Sequence, residues 1–307
     1  MSNSNEVNWD LSIWKGINDA VVAEMGKVRT AQKVFPTTTF DTCPTEIPND
    51  VIDFTDLSIQ EGSTKPFVEI YQEFPLTSTQ VVKESELHTC KTLARMAAKA
   101  IALAEDTVIF QGHTGKLPAN VKADLIGSAG AGLLGEADPK DVDDKDPNKV
   151  SVPIEVPRAA DHKPGVLFGE NIFSAVADGI AKLTAKAQAP KFALFLPVKT
   201  YADTYVPPSD ASLVTTAERI KPLVEGGFLE AVTLPQDKGL LVALAGDPTS
   251  LYLGREATTE FVRKEGSKYF FRVVERIQFV ARDPRAFVLL KFDQLGSASG
   301  GQYDKST

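Results

Sequence analysis

One apolar stripe constrains this chain more than any other feature. Between Ser85 and Phe110, Leu87, Leu93, Ala94, Ala97, Ile101, Ala104, Val108 and Ile109 recur at helical spacing. The pattern predicts an amphipathic helix about 39 Å long. Alanines fill neighbouring positions, which favours helix and allows close packing. Gly112 supplies the stop. A rod of that length spans a whole domain, so the rest of the chain must build the surface it lies on.

Much of that remainder has strand character. Val51, Ile52, Phe54 and Leu57 precede a polar Glu61-Gly62-Ser63, and Phe67, Val68, Ile70, Tyr71 and Phe74 follow. This predicts a long hairpin over 51–74 turning at Glu61–Ser63. Little in the segment could bury it, so it is expected to project. Phe192 to Val198 is almost wholly apolar, as in a strand covered on both faces. Short strands are expected at Leu229–Leu234, Leu240–Ala245, Leu251–Leu253, Thr259–Val262, Tyr269–Val280 and Ala286–Phe292. Helices are expected from Glu170 (stripe Ile172, Val176, Ile180, Leu183) to Pro190 and over Thr215–Val224, before Gly226-Gly227. Near the N-terminus, Trp9, Ile13, Trp14, Ile17, Val21 and Val22 predict another amphipathic helix, ending near Gly26. Its two tryptophans need cover, from the chain's own core or from a partner.

The class is therefore α+β, divided as 1–50 (N-terminal helix), 51–74 (hairpin), 75–115 (long helix), 116–169 (irregular), 170–255, 256–293 (closing strands) and a disordered 294–307 tail. The 116–169 segment holds a Gly/Ala patch and an acidic run with Glu136, Asp138, Asp141, Asp143, Asp144 and Asp146, and is expected to be an insertion or linker. Its six carboxylates could attract cations.

Tests for chemistry are negative. Gly130-Ala131-Gly132-Leu133-Leu134-Gly135, with Glu155 beyond, has dinucleotide spacing, but a Pro/Asp-rich loop follows where a helix should begin. From Asp141, a calcium loop fails at Lys145, Asp146 and Val152. His88, His113 and His162 form no zinc pattern. Gly296–Gly300 has Ala298 where a nucleophile should stand. Glu105 and Asp106 are adjacent on a helix and diverge by about 100°, so they are expected to pair with surface cations. Cys43 and Cys90 are expected to be reduced thiols. The formal charge of −8 argues against broad nucleic-acid binding. Met1–Glu6 lacks the basic and apolar regions of a secretory signal, which places the chain in the cytoplasm.

Two motifs resemble encapsulins. Phe279 to Phe292 (FVARDPRAFVLLKF) is similar to that family's closing strands, and Ala104–Gly112 (AEDTVIFQG) to the end of its long helix. The order of elements also agrees. The resemblance implies the tailed-phage major-capsid (Hong Kong phage type) fold: N-terminal helix, extended hairpin loop, peripheral domain with a spine helix, and axial domain, mainly 170–255. It implies a shell protein, not an enzyme, that forms an icosahedral compartment in bacterial or archaeal cytoplasm, the smallest, sixty-subunit form being favoured. The shell would enclose a peroxidase or ferritin-like iron oxidase carrying a targeting peptide. Trp9, Ile13, Trp14 and Ile17 would form the cargo groove, and Phe54, Leu57, Phe67 and Ile70 the assembly hairpin. Thr79 stands where flavin-binding members place a Trp, so no cofactor or metal is expected, nor a nucleic-acid or membrane partner. The alternatives are a phage or prophage major capsid protein and a small-molecule enzyme on an α+β fold.

Overall fold

The computed structural model describes residues 7–54, 56, 58–61, 63–159, 166–207 and 214–293. Leu57, Gly62, His162, the Gly296–Gly300 motif and the 294–307 tail lie outside the described residues. Strands run in chain order β1 (Thr37–Thr39), β2 (Glu46–Pro48), β3 (Val51–Asp53), β4 (Ser58–Gln60), β5 (Thr64–Pro66), β6 (Val68–Thr77), β7 (Lys122–Asp124), β8 (Ile154–Val156), β9 (Phe192–Leu196), β10 (Gly227–Glu230), β11 (Lys238–Ala243), β12 (Thr249–Glu265), β13 (Lys268–Ala281) and β14 (Phe287–Phe292).

The first sheet has the order β1-β12-β13-β6-β7. Its frame is the antiparallel β12–β13 hairpin, turned at Glu265–Ser267 with Gly266 at φ 59°. Alternation divides its faces. Leu253, Phe261, Phe271, Val273, Ile277, Ile70 and Leu76 are buried inside. Outside, ion pairs join Glu69 to Arg272 and Arg276, Glu260 to Arg255 and Arg272, and Glu73 to Arg263. Each such exposed pair contributes little, but together they mark the face turned to solvent. The spine helix (Thr89–Gln111) packs on the apolar face through Ala94, Ala97, Ala98, Ile101 and Val108, all buried.

The spine is shorter than its stripe. Glu84–Leu87 is a separate turn, and His88 breaks the rod at φ 50°. The buried Glu84 carboxylate then accepts the Cys90 and Lys91 N–H groups at 2.7 and 3.0 Å, capping the long helix. The N-terminal helix (Leu11–Val28) runs past Gly26, because Arg29 N–H still reaches Met25 O.

The second sheet, β10-β9-β11-β14-β8, is covered by the helix Glu170–Ala185. Every residue of β9 is buried, as its apolar run implies. Gly179 lets this helix approach closely: a Cβ there would lie 2.6 Å from Leu241 Cδ2. Two expectations change here. The closing strand β14 belongs to this sheet, pairing β11 and β8, and β12 belongs wholly to the first.

The 116–169 segment is likewise not irregular throughout. It gives β7 to the first sheet and β8 to the second, and buries Ala129, Leu133, Leu134 and Ala137 in the core beside the spine helix. The Gly-x-Gly pattern is a packing device. A Cβ on Gly112 would meet Gly130 O at 2.2 Å, and one on Gly132 would meet Gly112 N at 2.4 Å. All three glycines have positive φ, so the end of the spine and this turn fit only without side chains. Lysines from within the acidic run and from other segments offset it. Lys149 pairs with Asp141, Lys182 with Asp144 and Lys291 with Asp138. Lys186 Nζ donates to the Asp143 and Asp146 carbonyls. Against burial, which would raise it, Lys182 and the Val152 N–H hold Asp144 below the usual carboxylate value. Among the described residues, no group of acidic, His or Cys side chains is arranged to hold a metal ion, and no helix is long and apolar enough to cross a membrane.

Candidate docking groove and assembly arm

The N-terminal helix lies along the spine helix and the β12 face. Asn18 Oδ1 accepts the Thr259 N–H at 2.8 Å and pins it to the sheet. Between its first turns and the broken start of the spine lies a cavity of about 260 Å³, lined by Ser12, Ile13, Gly16, Ile17, Glu84, Ser85, His88 and Lys91. Its mouth is polar on the spine side and its floor apolar on the N-terminal side. Leu11 and Leu87, next in sequence to lining residues, and Val82, two positions before Glu84, are exposed at 87%, 52% and 82%. Exposed apolar side chains around a half-apolar groove suit a peptide with alternating anchors.

The four expected groove residues divide. Ile13 and Ile17 line the cavity, with Ile17 almost fully buried in its floor. Trp9 and Trp14 turn the other way. Trp9 stacks on Phe271 at 5.2 Å between centroids and 10° between planes, and its Nε1–H donates to Val81 O at 2.7 Å. Trp14 lies 6.2 Å from the same ring. Both tryptophans are half-buried against the chain's own sheet. Gly16, Glu84, Ser85, His88 and Lys91 were missed because they come from two distant segments. Thr79 sits in the short helix Ser78–Val82 beyond β6.

The hairpin differs more from its expected form. Its arms are β2/β5 and then β3/β4, so it spans 46–66 and turns between β3 and β4, not at Glu61–Ser63. β6, expected as its second arm, is a central strand of the first sheet. Ile70 is consequently fully buried in the body, and Phe67 is buried against Ile47 and Val280 at the hairpin's root. Gly254 makes room there, since a Cβ would lie 3.0 Å from the Phe67 ring. Phe67 and Ile70 thus hold the arm to its own subunit. Lys65 adds to the root: its Nζ donates to Phe279 O at 3.0 Å and lies 4.2 Å from the Phe279 ring centre. Burial pushes the Lys65 amine below its ordinary value, opposed by the nearby Glu136 charge. Near the tip, Phe54 lies 3.6 Å from the Arg285 guanidinium, and Ile59 is 61% exposed. The distal arm therefore has no apolar core of its own among the described residues.

Residues 158–278 match the family described as the encapsulating protein for peroxidase. A virus-like particle protein from Pyrococcus furiosus superposes at TM-score 0.64 with 16% identity, over 92% of this chain and all of that one. The capsid protein of Myoviridae phage XM1 superposes at 0.53 with 12% identity, covering 87% and 92% of the two chains. The SrpI encapsulin complex of Synechococcus elongatus PCC 7942 gives 0.51, 10% identity and 88% and 92% coverage. No curated protein matches the sequence. The chain has the tailed-phage major-capsid fold; over residues 158–278, which take in parts of both sheets, it is similar in sequence to the encapsulating-protein family, and over most of its length it is similar in structure to capsid and encapsulin proteins.

Proposed function

We propose that this protein is the subunit of an encapsulin-type shell, a closed icosahedral particle that forms in the cytoplasm around a cargo enzyme. The observation that carries this reading is a capsid fold over nearly the whole chain, of which residues 158–278 match the encapsulating-protein family. The distal arm, with Ile59 exposed, gains from cover by a neighbouring subunit, and many such repeated contacts would close a shell. The family match is to an encapsulating protein, so on this reading the chain acts as container rather than enzyme. Sixty subunits fit a chain of this size. The groove at Ile13, Gly16 and Ile17 receives a targeting peptide on a peroxidase or a ferritin-like iron oxidase.

Two constructions test this. Deleting residues 51–60 should leave folded subunits that fail to close; closed particles at wild-type yield would refute the arm's role. Replacing Ile13 by Asp should lower cargo capture while particles still form, and unchanged loading would remove the groove from the account. A second reading, a viral capsid, draws on the phage XM1 likeness. Particles purified from the native host decide between them: enclosed protein supports the shell, and enclosed genomic nucleic acid supports the capsid.

A further inference from the structure

Beneath the N-terminal helix lies a group of charges that the shell reading leaves unused. Arg29, one residue past that helix, is buried together with Glu105 and Asp106 of the spine and Glu275 of β13. Arg29 Nε donates to Glu105 Oε2 at 2.6 Å, and its Nη2 donates to Glu275 Oε1. Gln32 Nε2 donates to Glu105 Oε1 at 2.8 Å. Asp106 accepts the Thr30 and Ala31 N–H groups at 2.8 and 3.0 Å. Adjacent carboxylates that seemed destined for the surface thus clasp one incoming turn from two sides.

The charges do not balance. Three carboxylates surround a single guanidinium, and burial of uncompensated charge is costly. Glu275 Oε2 has no hydrogen-bond donor among the side chains and backbone around it. Glu105 and Glu275 are held by the same guanidinium, through its Nε and Nη2. Like charges that share one buried cation favour a proton on one of them. Among the described residues, no second lysine or arginine bonds to either carboxylate. Glu256 on β12 adds negative field to Glu275. Glu24, on the turn before, is engaged with Lys27, Arg95 and Lys99 instead.

We propose that the Arg29–Glu105–Glu275–Asp106 cluster is a proton-held clasp: protonated, it locks the end of the N-terminal helix to the spine and the sheet, and mild alkali opens it. The titration behaviour agrees in direction. Burial, then the Glu275 charge, pushes Glu105 well above its ordinary value against the pull of Arg29. Burial and the Glu105 charge push Asp106 up to about 7, against the Ala31 and Thr30 N–H groups. Groups whose folded values are raised stabilise the fold while they hold their protons. That contribution is complete below the unfolded value and is lost as pH rises through the folded one. The clasp therefore weakens upward from about pH 7, by up to about tenfold per pH unit for each proton released.

The test uses the full chain, assembled or not, and so stands apart from the shell reading. Infrared difference spectra should show a protonated carboxylic-acid band at pH 6 that disappears by pH 9. Hydrogen exchange of residues 25–31, corrected for intrinsic rates, should lose at least about tenfold in protection over the same range. Glu105→Gln keeps one acceptor oxygen for Arg29 but removes its own titration and its charge beside Asp106, so its loss of protection should be clearly smaller than the wild type's. If that variant does not fold, the two wild-type readings decide alone. Absence of the acid band at pH 6, its persistence at pH 9, or unchanged wild-type protection would each overturn the clasp, as would wild-type-like loss in a folded Glu105→Gln.

Discussion

The body of the molecule and its two-stranded arm obey different rules. In the body, Phe271 is fully buried and touches Trp9, Trp14, Phe74 and Phe261 within 6.2 Å between centroids. Three regions far apart in sequence meet at that ring: the N-terminal segment, β6 and the β12–β13 hairpin. In the arm, two-stranded ladders of three residue pairs each carry the structure, and Ile59 faces outward. A two-stranded ribbon without a core is marginal in water. The contrast teaches where cohesion comes from: the body carries its own core, and the arm, among its described residues, does not.

The comparison can be broken or sharpened by substitution. The largest loss of subunit stability should come from Phe271→Ala, about 3–5 kcal/mol, read by denaturant unfolding. A loss below about 1 kcal/mol would mean that the aromatic cluster does not hold the N-terminal helix down. Arg29→Met comes next. It leaves three buried carboxylates without their cation, a loss of about 3–5 kcal/mol that acid should partly restore. Phe54→Ala should cost the subunit only about 0.5–1 kcal/mol, because it removes one cation–π contact at Arg285. The smallest effect on folding belongs to Ile59→Asp, within about 0.5 kcal/mol. The same change should sharply lower particle yield. A stability loss as large as that of Phe271→Ala would show that Ile59 belongs to the body after all.

Legibility followed the same division. Elements with a periodic apolar face were visible in the sequence: the spine stripe, the Ile172–Leu183 stripe and the Phe192–Leu196 run all occupy the elements they predict. The break at His88 was invisible, because a positive φ at a non-glycine residue is imposed by the Glu84 cap, a contact between side chain and backbone. The hairpin turn was misplaced for a related reason. Glu61-Gly62-Ser63 carries stronger turn chemistry than the residues joining β3 to β4, and Val68–Phe74 alternates whether it lies in an arm or a central strand. Strand partners decide that question, and partners such as β13 lie some two hundred residues away. The acidic run looked like an unsatisfied charge patch because its lysines, Lys182, Lys186 and Lys291, come from other segments. In the groove, Ile13 and Ile17 were accessible to helical periodicity. The side of the helix on which Trp9 and Trp14 fall was not, since it depends on Phe271.

The central claim is that these subunits close into a shell. Size-exclusion chromatography with light scattering on the purified chain, with negative-stain images of the leading peak, tests it most directly. The account predicts a spherical particle in the megadalton range built from 33.2 kDa subunits. A stable monomer or dimer at the same protein concentration would contradict it.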